Sequence, residues 1–256
     1  MLLAIDIGNT NIGFGLFDRD RLVQQFRCES ARQRTADEYA VFVRQMLVLR
    51  DVDYRKIDAG IIASVVPALT DPLSEVVRRA FAREPLVVGP TVRSGMPILY
   101  DSPREVGADR IVNAVAAYDQ VKGGVVVVDF GTATTFDCVS DKGEYLGGVI
   151  APGIQISAEA LFSRAAKLQP VEIVKPSRVI GRNPAQSMQS GLVYGYAGLV
   201  DGVVTRIKAE LGYPCAVLGT GGLANLIAPQ TMSIDRVDEA LTLHGLRLLY
   251  ERNADT

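Results

Sequence analysis

The chain has 256 residues, 48% of them apolar, and 27 basic against 29 acidic side chains give a net charge of −2. That length allows one large domain or two modest ones, and the near-neutral balance, without a basic block, gives no electrostatic footprint for nucleic acid. No run of about 18 apolar residues suggests a membrane span, and the N-terminus passes straight into a strand without a signal-peptide pattern, so a soluble, cytoplasmic protein is expected.

In chain order, residues 2–7, 11–18 and 21–28 run apolar or alternate between turn signals, as in an antiparallel meander. Thr35 to Arg50 is predicted helical: Tyr39, Phe42, Val43, Met46 and Leu47 form an apolar stripe, and Thr35 with Glu38 makes a capping box. A buried strand at Ala59–Ala63, a helix from about Thr70 to Ala82 and a strand at Leu86–Val88 complete an α/β layer on one mixed sheet. Residues 89–103, rich in Pro, Gly and Ser, read as an irregular connection. From Asp109 the positions Ile111, Val112, Val115 and Ala116 become helical. Two roles stand open for Asp109: an N-cap for that helix, or a substrate-site acid beside Arg110 and after Tyr100, at a helix start that attracts anions.

The meander then returns at 124–130, 133–139 and 144–151, and Pro152-Gly153 breaks the sheet before a helix from about Ile156 to Ala166. A proline-bearing loop leads to a helix over Ala185–Leu211, whose Gly191, Gly195, Gly198 and Gly202 lie in rows. Such rows suit internal packing or, more sharply, a two-fold subunit contact. Ala216–Leu218 is a strand running into Gly219-Thr220-Gly221-Gly222, where glycines let a nucleotide approach the backbone. Helices at Leu223–Ala228 and Val237–Tyr250 close the chain. Cys28, Cys138 and Cys215 are scattered, without a C-x-x-C pair, and the sole histidine, His244, has no metal-ligand partner, so neither residue type points to a metal.

One pattern occurs twice. An apolar run ends in aspartate, glycine and small hydroxyl or amide residues at Asp6-Ile7-Gly8-Asn9-Thr10-Asn11 and again at Asp129-Phe130-Gly131-Thr132-Ala133-Thr134. The aspartates stand 123 positions apart (129 − 6), as do Gly8 and Gly131. A repeat near half the chain length suggests a duplicated domain, with units at 1–118 and 119–256. Each copy reads as strand, tight turn, strand, with Gly8 and Gly131 permitting positive φ. Such turns can aim backbone N–H groups at an anion, and the aspartate's natural partner is a cation or metal-bound water. Two of them facing each other would clamp a polyphosphate with its cation.

These stretches, together with Ala63-Ser64-Val65-Val66-Pro67, Glu105-Val106-Gly107-Ala108-Asp109-Arg110, Gly147-Gly148-Val149-Ile150-Ala151-Pro152-Gly153, Ser187-Met188-Gln189-Ser190-Gly191 and Thr220-Gly221-Gly222, resemble the type III pantothenate kinases, in order from residue 2 to about 225. The resemblance implies an α/β fold of two duplicated ribonuclease H-like domains, the actin-like ATPase fold of the acetate and sugar kinase, Hsp70 and actin superfamily, with an ATP cleft between them. It implies transfer of the ATP γ-phosphoryl group to pantothenate, giving 4′-phosphopantothenate at the start of coenzyme A synthesis. Carried over by position, Asp6, Ile7, Gly8, Asn9, Thr10, Asn11, Ile12, Gly13 and Thr132 would bind ATP. Asp6 would help hold Mg²⁺ through water, and Asp129 would bind K⁺ or NH₄⁺. Tyr100, Gly107, Ala108, Asp109, Arg110 and Pro184 would contact pantothenate, with Asp109 as proton acceptor. A homodimer is implied as well.

Two positions depart from the family. Pro184 stands where a threonine is usual, which loses a hydroxyl and an N–H and points to Ser187 or Ser190 as replacement; His244 stands where lysine is more frequent. No Walker-type lysine motif is present. A nucleotide-dependent regulatory protein on the same fold is the alternative from another class, and a sugar kinase or polyphosphate hydrolase is a third. Asp6, Asp109 and Asp129 together favour catalysis, and the Glu105–Arg110 segment favours pantothenate.

Overall fold

The structure is a computed structural model that describes residues 1–165 and 167–254. Its backbone divides into two compact units: residues 1–97, 101–116 and those from Leu241 on form the first, and residues 98–100 and 117–240 the second.

In the first unit, β1 (Leu2–Ile7), β2 (Asn11–Asp18) and β3 (Arg21–Glu29) form the meander, followed by α1 (Ala36–Val48), β4 (Ala59–Ser64), α2 (Pro67–Phe81) and β5 (Leu86–Val87). The sheet order is β3-β2-β1-β4-β5, with β1–β2 and β2–β3 antiparallel and β1–β4 and β4–β5 parallel. The capping box at Thr35 and Glu38 is present, so α1 starts where its sequence says. α2 begins three residues before the expected Thr70, because Pro67 occupies the first helical position, where its missing N–H costs nothing. Tyr39, Val43 and Leu47 of α1 and Leu69, Leu73, Val76, Val77 and Phe81 of α2 bury one sheet face. On the other face lies α7 (Leu241–Ala254). Leu243 of α7 fits so closely over Gly15 of β2 that a Cβ there would come within 2.9 Å of it.

The second unit repeats the plan. β6 (Val125–Phe130), β7 (Ala133–Val139), β8 (Tyr145–Pro152), α4 (Ile154–Arg164), α5 (Pro184–Leu211), β9 (Ala216–Thr220), the short α6 (Ala224–Ile227) and β10 (Arg236–Val237) follow in order. Its sheet, β10-β9-β6-β7-β8, matches the first when that one is read from β5 to β3. The central run Val125–Val128 is fully buried, as expected of a strand covered on both faces. α4 and α5 cover one face through Ile154, Ala158, Leu192, Val193, Tyr196, Val200, Val204 and Ile207.

Between the repeats, α3 (Ala108–Val121) contains the division, which falls between Ala116 and Ala117. Several boundaries differ from expectation. α4 starts two residues earlier than Ile156, and its expected end at Ala166 lies outside the described residues. The last helix starts at Leu241 instead of Val237, because Arg236 and Val237 pair with Leu218 and Gly219 and the Asp238 carboxylate then accepts from Ala240 N at 2.9 Å. The segment 89–103 is not wholly irregular: Ile98 bridges Tyr145 in parallel at the edge of β8, and Pro103–Glu105 forms a 3₁₀ turn.

Candidate active site

Asp6 lies at the end of β1, half-buried, opposite Gly13 of β2 and Ala63 of β4. Both register neighbours have small side chains. The turn after it is closed by Gly8 N donating to Asn11 O at 3.0 Å, while Ser30 ties down its carbonyls: Ser30 N donates to Thr10 O at 2.9 Å and Ser30 Oγ to Gly8 O at 2.6 Å. Asn9, Thr10 and Asn11 are exposed at the tip, whereas Ile7 and Ile12 are buried and act as packing below it.

Asp129 occupies the equivalent place on β6, also half-buried, but its neighbours are Thr135 of β7 and Thr220 of β9. Gly131 N donates to Ala133 O at 3.1 Å, and Thr132 is exposed at the tip, its carbonyl accepting from Gly153 N at 3.1 Å. Tyr196 of α5 donates to Pro152 O at 2.8 Å and so fixes the corner that carries Gly153. The second turn is one residue shorter than the first, so the residues facing the two aspartates, Gly13 and Thr135, stand 122 apart rather than 123.

The glycines serve differently from expectation. Neither Gly8 nor Gly131 adopts a positive φ. At Gly8 the constraint is steric, since a Cβ would stand 3.0 Å from Asn11 O. Positive φ is found instead at Gly221, +90°, where a side chain would run into the Asp129 carboxylate and the Phe130 backbone. Gly153 likewise has no room for a Cβ against the Thr132 and Gly131 carbonyls. The sequence marks the turn at Gly221 as one where a nucleotide could approach the backbone and Gly153 only as a break after a strand; that Gly221 abuts Asp129 and Gly153 the Thr132 turn is visible only in the structure.

Asp109 and its neighbours sit in the first unit. α3 begins at Ala108, so Asp109 lies within the first turn and is not the N-cap. Its Oδ1 accepts from Arg110 N at 2.8 Å. Burial raises the Asp109 pKa above the ordinary carboxylate range, and the hydrogen bond and charge of Arg110 offset only part of that shift. A Cβ on Gly107 would come within 2.5 Å of Asp109 Oδ1, so glycine there leaves room for the carboxylate. Arg110 is itself buried, 9% exposed. Tyr100, by contrast, belongs to the second unit.

Pro184 is the first residue of α5, where Asn183 caps the helix by accepting from Gln186 N at 2.9 Å. Proline therefore suits the backbone position. Ser190 is buried and its hydroxyl donates to Val179 O at 2.5 Å, whereas Ser187 is exposed. His244 packs edge-on to Phe17, ring centroids 5.9 Å apart. Among the described residues no group of three or more His, Cys, Asp and Glu side chains is placed to hold a metal ion.

Comparison with known proteins decides the family. A model of the type III pantothenate kinase family matches residues 2–206. The chain belongs to the type III pantothenate kinase family. It is 57% identical over 253 residues to the type III pantothenate kinase of Myxococcus xanthus (strain DK1622), covering 99% of each chain. With that of Moorella thermoacetica (strain ATCC 39073 / JCM 9320) it shares 55%, over 99% of this chain and all of the relative. Among solved structures, a conserved protein of the Baf transcriptional-activator family from Campylobacter jejuni superposes with a TM-score of 0.62 at 20% identity, covering 99% of this chain and 100% of that one. A ROK family glucokinase from Streptomyces griseus, in complex with glucose and AMPPNP, gives 0.54 at 12% identity over 97% and 98%. Those two likenesses are of fold, and they agree with the duplicated sheets of the actin-like ATPase architecture.

Proposed function

We propose that the chain phosphorylates pantothenate with ATP, giving 4′-phosphopantothenate, the first step of coenzyme A biosynthesis. The observation that carries this reading is Asp109, a half-buried carboxylate in the first turn of α3 beside buried Arg110, its pKa raised by burial, in a chain of this family. Raised proton affinity suits a group that takes the proton of an attacking hydroxyl, because base strength rises with pKa. Phosphoryl transfer otherwise needs positioning and charge neutralisation, with little covalent work by the protein.

In this reading Asp6 to Gly13 and Thr132 serve the ATP phosphates, the exposed Asn9, Thr10, Asn11 and Thr132 making direct contacts and buried Ile7 and Ile12 shaping the turn. Tyr100, Gly107, Ala108, Asp109 and Arg110 hold pantothenate, with Ser187 supplying the hydroxyl that Pro184 lacks. ATP-dependent kinases generally use a divalent ion such as Mg²⁺, which is held by one or two carboxylates together with phosphates and water. Asp6, at the end of β1 between Gly13 and Ala63, reaches that ion through water in this reading. Asp129 lies between two threonines, an oxygen-rich setting that fits K⁺ or NH₄⁺. These cations supply charge neutralisation on the phosphates.

A homodimer is the proposed assembly, and the setting cytoplasmic; no helix among the described residues is long and apolar enough to cross a membrane. Gly191, Gly195 and Gly198 of α5 are exposed with nothing packed over them, which disfavours internal packing as their purpose, and exposed Val179 and Ile180 lie in the segment bonded to Ser190 of the same helix.

Mass spectrometry of pantothenate incubated with the protein, ATP, Mg²⁺ and K⁺ tests the reading. Phosphopantothenate is expected, and its absence would overturn it.

A further inference from the structure

The second unit contains a buried carboxylate that the roles above do not use. Asp137 of β7 and Tyr145 of β8 are both without solvent exposure. The Tyr145 hydroxyl donates to Asp137 Oδ1 at 2.8 Å, and the Thr135 hydroxyl donates to Oδ2 at 3.2 Å. A buried acid persists only when hydrogen bonds compensate its lost hydration, and removing one donor leaves that much of the lost hydration uncompensated. What this acid fixes is the Tyr145 side chain.

Tyr145 in turn carries the 98–100 segment. Its carbonyl accepts from Leu99 N at 2.8 Å, and Ile98 bridges it in parallel. The register between β7 and β8 slips here, Tyr145 facing Val139 and Gly147 facing Cys138, so Leu146 forms a bulge. Bulges of this kind re-aim side chains. Beyond the bulge Gly147 has φ +114°, and a Cβ on it would already touch the Tyr100 ring at 3.4 Å. The Tyr100 ring centroid lies 6.4 Å from that of Tyr145, tilted by 53°. Tyr100 is exposed, and its ring meets a floor made of Tyr145 and the bare backbone of Gly147.

We propose that Tyr145 and Asp137 are positioning residues for pantothenate: the buried carboxylate locks Tyr145, and Tyr145 holds the 98–100 segment so that the Tyr100 ring is preset for the substrate. This rests on the reading of Tyr100 as a pantothenate contact. A floor that keeps Tyr100 in its binding-competent position raises the fraction of molecules ready to bind, so its loss weakens apparent affinity for pantothenate in proportion.

The test is steady-state kinetics of Tyr145→Phe, with both substrates varied, in the wild-type and Tyr100→Ala backgrounds, alongside hydrogen exchange at Leu99. Tyr145→Phe is expected to raise the pantothenate KM by about three- to tenfold, the scale of losing one ordered side chain. KM for ATP should hold, kcat should fall less than KM rises, and the Leu99 amide should exchange faster. In the Tyr100→Ala background the same change should add nothing, since two residues acting as one unit do not add. An unmoved pantothenate KM, an equal rise in both KM values, or full additivity with Tyr100→Ala overturns the proposal. Should Tyr145→Phe not fold, Asp137→Asn, whose amide oxygen still accepts from Tyr145, is expected to give a smaller rise in the same KM; no rise overturns it. A wild type that leaves pantothenate unmodified overturns the kinase reading as well, whereas an active wild type with an unmoved KM in the variants defeats the positioning role alone.

Discussion

In the proposed reading, Asp109 serves the chemistry at the expense of stability. Its raised pKa means that the folded protein binds this proton more tightly than the unfolded chain does. The stabilisation from that group is therefore complete below the ordinary carboxylate pKa of about 4 and is lost as pH rises through the shifted value. At neutral pH the charged form is a net cost, so Asp109→Asn, which keeps an acceptor for Arg110 N, should melt no lower than wild type in a thermal scan. The same variant should lose about 100-fold or more in turnover, the usual contribution of a positioned base, while ATP binding followed by calorimetry persists. The acidic limb of kcat/KM should lie above the ordinary carboxylate range in wild type, where Asp109 must be ionised to act. A limb near pH 4 would show that another group sets it. The acid and its arginine are legible in the sequence; the burial that shifts the pKa is not, because it depends on what the fold packs around the first turn of α3.

At the scale of elements, two turns with the same sequence order differ in construction. The first is tied by Ser30 and flanked by Gly13 and Ala63; the second is shorter, flanked by Thr135 and Thr220, and abutted by Gly221 and Gly153. The repeat of Asp, Gly and Thr was visible in the chain, as were the capping box of α1 and the meander strands. The partners were not, since Gly221 lies 92 positions beyond Asp129 (221 − 129) and reaches it only through the parallel pairing of β6 with β9. Gly221→Ala should cost more than the about 1–2 kcal/mol of a non-glycine residue at positive φ, because its methyl also overlaps the Phe130 backbone; urea unfolding measures the loss. In the same variant the added methyl displaces the Asp129 carboxylate, so the proposed activation by K⁺ should weaken more than KM for pantothenate changes. An unchanged K⁺ response would argue for a structural Asp129.

At the scale of the molecule, α5 presents a row of glycines with open space over them, a feature suited to close approach of another helix. Sedimentation of the wild-type protein should give a dimer, and Gly195→Arg, which places a long cation on that open row, should give a folded monomer. A wild-type monomer would remove the dimer from the proposal. By itself the sequence determined that the chain is α/β, that it is duplicated, and which short segments carry aspartate and glycine, because hydrophobic period, capping and turn residues are local properties. Only the tertiary structure decided that Leu241–Ala254 packs with the first unit, where Gly245 admits the Val112 backbone and Thr242 donates to Asn113 Oδ1 at 2.7 Å, and that residues 98–100 join the second. Those placements are settled by contacts between residues far apart along the chain, and no local pattern records which distant surface an apolar face will find.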